Sequence, residues 1–223
     1  MNEIRIGIID DDSSKITQLM TWLQEGWESA SPEKRVKYSA FRIVPVEIKL
    51  LPTIDEIHGQ ITSFKVDCML IDYRLSSFAA VAFSGTDLAK ALSSIHYGFP
   101  IFILTAYEDE IYAKEIFDVY QIFNFDRYVN DAEERLELNT KIIEQVLKHR
   151  KEFASWEQEL SELLPQAGEN AKIDARILQL DGYIERSLNG VKAIPENVKK
   201  QLSDGKIDAL LEKLDKLINQ GSN

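Results

Sequence analysis

The chain has 223 residues, and its 26 Lys and Arg against 37 Asp and Glu give a formal net charge of -11, which disfavours any partner bound by displacing counterions from phosphates and argues against nucleic acid. Its length suits one domain of ordinary size plus an appendage, and its single cysteine, Cys68, cannot form an internal disulfide. No apolar run approaches the ~18 residues of a membrane span, and the amino terminus lacks a signal peptide's basic start and apolar core, so a soluble cytoplasmic protein with no membrane association is expected.

In chain order, the apolar run Ile4 to Ile9 ends at Asp10-Asp11-Asp12 and predicts a buried first strand. Ile16, Leu19, Met20, Leu23 and Trp27 then recur at helical spacing, with Ser13 or Ser14 placed to cap the first turn. The stretch from Lys37 to Leu50, rich in Val, Ile and Phe around Pro45, predicts a long, partly irregular edge strand. Thr53-Ile54-Asp55-Glu56 is a capping box that opens a helix through Ile57, Ile61 and Phe64. Val66 to Ile71 forms a third strand that ends at Asp72 and carries Cys68 as a buried, inert thiol.

Leu88, Ala91, Leu92 and Ile95 predict a short helix, and Pro100 to Leu104 a fourth strand ending at Thr105-Ala106. Ile111, Glu115 and Val119 mark a further helix, and Phe123 to Val129 a fifth strand. Tyr107, Tyr112, Phe117, Tyr120, Phe123, Phe125 and Tyr128 read mainly as core, and His58, His96 and His149, which lack metal-ligand spacing, as surface or satisfied residues. Strands alternating with helices imply an α/β domain, a doubly wound five-stranded parallel sheet whose strand ends line one crevice.

From Asp131 a helix is expected to about Leu164, because Leu138, Ile142, Val146, Phe153, Trp156, Leu160 and Leu163 keep a three-to-four spacing. Two more are expected near 169 to 188 and 205 to 218, so the domains read as 1–131, a long helix over 132–164 and a helical region over 165–223. Residues 151 to 223 hold ten Lys and Arg against thirteen Asp and Glu and show no helix-turn-helix, which predicts protein contacts and no DNA binding.

An acid pair, a lone Asp and a Thr at successive strand ends suit a phosphate and metal site. Ile8-Ile9-Asp10-Asp11, Leu70-Ile71-Asp72 and Ile103-Leu104-Thr105-Ala106 resemble the receiver domain of two-component response regulators, a flavodoxin-like fold, over residues 1 to about 130. The resemblance implies that Asp72 is a phosphoacceptor and that Asp10, Asp11, Asp72 and the backbone carbonyl of Arg74 hold Mg2+. It further implies that Thr105 bonds a phosphoryl oxygen and that Tyr128 is the switch aromatic. The donor would be a histidine kinase or phosphotransfer protein, and the chain a signalling protein whose only chemistry is its own aspartyl phosphorylation. The residue types suit that chemistry: Mg2+ takes hard oxygen ligands, a carboxylate can attack phosphorus, and a metal offsets charge on the transferred group.

Departures from the family pattern matter too. Asp131 is read at the place of the family's Lys after strand five, where one like charge at about 4 Å costs roughly 4 kcal/mol at an effective dielectric near 20. Arg74 or Arg127 would have to turn inward to compensate. The family's Pro after the phosphoacceptor is missing, and the loop to Gly85 is longer than usual. Asp131 keeps open a pseudo-receiver or phosphate-sink reading, and Asp10-Asp11-Asp12-Ser13 also resembles the opening motif of haloacid-dehalogenase-type phosphatases. The tail's apolar stripes call for burial in a hairpin, against an effector or in a homodimer.

Overall fold

Three strand runs are apolar on both faces because helices cover both. The computed structural model describes residues 2–75, 81–106, 121–167, 171–189 and 199–200, and the chain divides into two units, Met1–Lys151 and Glu152–Asn223. In the first, β1 (Asn2–Ile9), α1 (Ser13–Glu25), α2 (Pro32–Tyr38), β2 (Phe41–Glu47), α3 (Ile54–Phe64), β3 (Cys68–Asp72), α4 (Gly85–Ile95), β4 (Ile101–Thr105), β5 (Ile122–Asn124) and α5 (Phe125–Asn130) precede α6 (Ala132–Leu163). The sheet is parallel throughout, in the order β2-β1-β3-β4-β5. That is the flavodoxin-like doubly wound order, with its switch point between β1 and β3.

Side-chain alternation sorts the core into two layers. Ile4, Ile6, Ile8, Cys68, Leu70, Phe102 and Leu104 pack with Leu19 and Leu23 of α1 and Leu138, Ile142 and Val146 of α6. Ile9, Met69, Ile71, Ile101 and Ile103 pack with Ile57 and Ile61 of α3 and Leu88 and Leu92 of α4. Cys68 is fully buried, and burial pushes its thiol up, as an inert core cysteine requires. The capping box at Thr53 and Glu56 is present in full, and a second one joins Ser84 to Asp87.

Several elements differ from the sequence expectation. Lys37 lies in α2, opened by the Ser31 cap and Pro32, so the second strand begins only at Phe41. Pro45 sits on β2, which pairs with β1 alone, so its missing N–H costs no ladder bond. The N-cap of α1 is Asp12, whose carboxylate accepts from the Ser14 N–H at 2.8 Å, and neither Ser13 nor Ser14 takes that place. The expected strand over Phe123 to Val129 is three residues of β5 followed directly by the helix α5. His58 and His96 are buried against each other, ring centroids 4.7 Å apart, and are not surface residues.

In the second unit, the distal part of α6 and α7 (Ala171–Asn189) run antiparallel: Arg176 makes paired bonds of 2.6 and 2.7 Å to Glu159, while the Trp156 and Tyr183 rings meet in a tilted contact, centroids 5.3 Å apart. Leu180 is fully buried, so this stripe is covered in part by a helical hairpin. Among the described residues no helix is long and apolar enough to cross a membrane. The helices expected around Ile111 to Val119 and over 205 to 218, with Tyr107, Tyr112, Phe117 and Tyr120, lie outside the described residues.

Candidate functional site

Register brings the candidate residues together at one sheet edge. Ile9 pairs with Ile71, so Asp10 and Asp72 leave adjacent strands side by side. Asp72 pairs with Leu104, which places Thr105 one residue further along β4. A ligand oxygen from each of Asp10, Asp11 and Asp72 lies within 4.8 Å of the others. Asp10 and Asp72 are each 7% exposed and Thr105 1%, while Ala106 beyond it is exposed.

Local backbone fixes both buried acids. The Asp12 N–H donates to Asp10 Oδ1 at 2.8 Å, and the Arg74 N–H donates to Asp72 Oδ2 at 2.8 Å. Gly85 donates its N–H to the Tyr73 carbonyl at 2.9 Å, and a Cβ there would stand 1.9 Å from the Asp72 carbonyl oxygen. Only glycine lets α4 begin so close to the end of β3.

Crowded acids resist ionisation. Burial, and then the adjacent Asp72 carboxylate, push Asp10 up to about 7; burial also raises Asp72, against the pull of Lys15 and the Arg74 N–H. Lys15, in the first turn of α1, lies 3.5 Å from Asp72 Oδ1 and 3.8 Å from Asp10 Oδ2. Burial pulls its ammonium down, but Asp72 and Asp10 more than offset this and its pKa is raised. Three carboxylates from two strand ends, partly balanced by one ammonium, form a hard-oxygen donor set that fits Mg2+ and leaves a negative charge for it to balance.

Other expectations on the fifth strand are corrected. Tyr128 lies on α5, not on a strand; it is buried and donates its hydroxyl to Asn139 Oδ1 at 3.1 Å. Asp131 is exposed and sits at the start of α6, where its carboxylate accepts from the N–H groups of Glu133 and Glu134 at 2.8 and 3.3 Å. It is a helix cap. Arg127 turns outward to Glu134 at 3.6 Å. The β5 residue paired with Thr105 is Asn124, whose side chain caps α5 by accepting from the Arg127 N–H.

Lys15 is the site residue that reading by family pattern overlooks. Its signal was available in the sequence as a cation placed in the first turn of a helix entered directly from the acid cluster. A Lys there can reach back over the strand ends.

No protein-family model matches the chain, and no curated protein sequence does. Among solved structures it is similar to a two-component transcriptional regulator AraC from Clostridium phytofermentans ISDg, at 17% identity and a TM-score of 0.46, covering 66% of this chain and 98% of that one. It is similar also to the anti-anti-sigma factor PhyR from Bartonella quintana, at 16% and 0.41 over 70% of this chain and 51% of that one. The apo receiver domain of nitrogen regulatory protein C shares 20% identity at 0.37, over 65% and 97% of the two chains. Strand order and register describe a doubly wound, flavodoxin-type domain followed by helices.

Proposed function

We propose that the chain is a signalling protein of the response-regulator kind, in which Asp72 accepts a phosphoryl group from a histidine kinase or phosphotransfer protein. The observation that carries this reading is the convergence of Asp10, Asp11 and Asp72 at the β1/β3 switch point, with ligand oxygens within 4.8 Å. When bound, Mg2+ would supply charge neutralisation for the incoming phosphoryl group. Asp10, Asp11, Asp72 and the Arg74 carbonyl are its proposed ligands.

Asp72 attacks phosphorus: a new O–P bond forms at its carboxylate, the N–P bond of the donor phosphohistidine breaks, and the freed imidazole nitrogen takes a proton. The Arg74 N–H on Oδ2 orients the carboxylate for that attack. Thr105, buried on the adjacent strand end, would donate its hydroxyl to a phosphoryl oxygen. Output runs through protein contacts of residues 151–223, by way of an effector or a second copy of the chain, without DNA and in the cytosol.

The test is intact mass after incubation with acetyl phosphate and Mg2+. Wild type should gain one phosphoryl group per chain and Asp72→Asn none. A wild type that stays unmodified would leave a binding module whose site is partly neutralised from within, the reading that the Lys15 ion pairs favour. Steady turnover of p-nitrophenyl phosphate without retained label would instead favour a phosphatase. Light scattering of the full chain tests self-association through the tail.

A further inference from the structure

We infer that Lys15, on α1, is the cation that holds the transferred phosphoryl group at Asp72. The inference rests on the phosphoacceptor reading above. Any group arriving at Asp72 brings negative charge into a crevice that already holds three carboxylates, so a donor of positive charge must stand beside it. Strand five does not provide one: Asn124 is spent capping α5, Arg127 pairs outward with Glu134, and Asp131 caps α6.

Lys15 meets the requirement from another element. Its Nζ is 3.5 Å from Asp72 Oδ1, and it lies 5.5 Å from the ring centroid of Phe125, the residue that follows β5. The ammonium therefore reaches from α1 toward the end of β5, between the phosphoacceptor and the place where that strand leaves the sheet. Phe125 gives it a π face on one side and the carboxylates a charge on the other. The side chain is 27% exposed, which leaves the crevice an open side from which a donor can approach.

An ammonium is a compact charge on a flexible stem. It can pass from bonding the Asp72 carboxylate to bonding an oxygen of a phosphoryl group attached to that carboxylate, a shift of about one bond length that the stem absorbs. Lys15 touches the reacting group directly, and is in that sense catalytic.

The experiment compares wild type, Lys15→Gln, Lys15→Arg and Asp72→Asn, all as the full chain, with acetyl phosphate and Mg2+. It reads the rate of label uptake and the lifetime of the acyl phosphate by intact mass, with circular dichroism as the folding control. Loss of one charged donor to a developing phosphoryl charge predicts a fall of at least about tenfold in uptake or lifetime for Lys15→Gln. Lys15→Arg should recover most of it, because the charge is kept. Mn2+ titration adds a readout that does not depend on phosphorylation: removing the ammonium should leave cation binding intact or tighter in Lys15→Gln.

If wild type takes label, Asp72→Asn does not, and Lys15→Gln matches wild type in rate and lifetime, the inference on Lys15 is wrong while the phosphoacceptor reading stands. The inference fails equally if Lys15→Arg is as defective as Lys15→Gln with both folded, since charge would then not be what matters. A wild type that takes no label overturns the phosphoacceptor reading and the inference with it.

Discussion

Replacing Asp10 by Asn should stabilise the metal-free protein at pH 8 and change it little at pH 4. Burial and then the Asp72 charge hold the Asp10 acid at about 7, against 3.8 for the free side chain. An acid whose pKa is higher in the folded state binds its proton on folding. Stability is therefore greatest below the unfolded value, declines as the pH rises through the interval from 3.8 to about 7, and is lowest above it. At about 1.36 kcal/mol per pH unit, that interval corresponds to about 4 kcal/mol, an upper limit because the crevice retains an open side. Asn preserves the acceptor for the Asp12 N–H, which Asp10 Oδ1 now takes at 2.8 Å, so the substitution removes the charge without orphaning the donor. The assay is thermal unfolding in EDTA from pH 4 to 8. About 2–4 kcal/mol in a chain of this length implies roughly 4–16 °C of gain at pH 8, shrinking toward zero at pH 4. A gain equal at both pH values, or a loss at pH 8, would refute the electrostatic account of the crevice.

Metal binding should show the same acid from the other side. Because ligation needs the carboxylate, Mn2+ affinity in wild type should rise between about pH 6 and 8 as the proton on Asp10 is released, and titration calorimetry in buffers of different ionisation enthalpy should detect that proton. Gly85→Ala should cost at least about 1–3 kcal/mol by chemical denaturation, since its Cβ would meet the Asp72 carbonyl oxygen at 1.9 Å and backbone cannot give way as a side chain would; retention of wild-type stability would contradict the tight β3–α4 junction. Asp131→Ala should cost about 1 kcal/mol through the lost α6 cap, and neither Asp131→Ala nor Asp131→Lys should change phosphorylation of Asp72, because Asp131 stands at a helix start. A clear gain in label for Asp131→Lys would restore it to the site.

The parts of the fold legible in the sequence are those where one physical demand dominates. β1, β3 and β4 are covered on both faces, so their runs are apolar, broken only by Arg5 in β1, and stop where the chain reaches the crevice, at Asp10, Asp72 and Thr105. Thr53 with Glu56 announces its helix because each side chain accepts from the other's backbone N–H, satisfying two orphan donors of the first turn. Where two demands compete, the pattern misleads. Ser31-Pro32 starts α2 upstream of the stretch rich in strand formers, and the helix it opens runs into that stretch as far as Tyr38. Lys15 is half legible: its place in the first turn after the acid cluster is local, but its approach to the ends of β3 and β5 follows from the meeting of α1 with those strands.

Residues 125–130 are the instructive failure, because the winning force acts from a distance. Alternating apolar side chains favour a strand, yet the segment folds as α5. Asn124 caps its start, and Arg135, from the first turn of α6, donates to the carbonyls of Tyr128 and Val129 at 2.9 and 2.6 Å. Those carbonyls lie near the helix end, where a cation is favourable. The same guanidinium stacks 3.9 Å over Trp22 and pairs with Glu28, and Asn139 donates to the Trp22 carbonyl at 3.0 Å. One buried cation thus ties α5 to the end of α1 and the start of α6. The consequence reaches the crevice: β5 stops at Asn124, Arg127 is engaged with Glu134 and Asp131 with the start of α6. Among the described residues, the first turn of α1 brings the Lys15 ammonium to within 3.5 Å of Asp72 and 3.8 Å of Asp10.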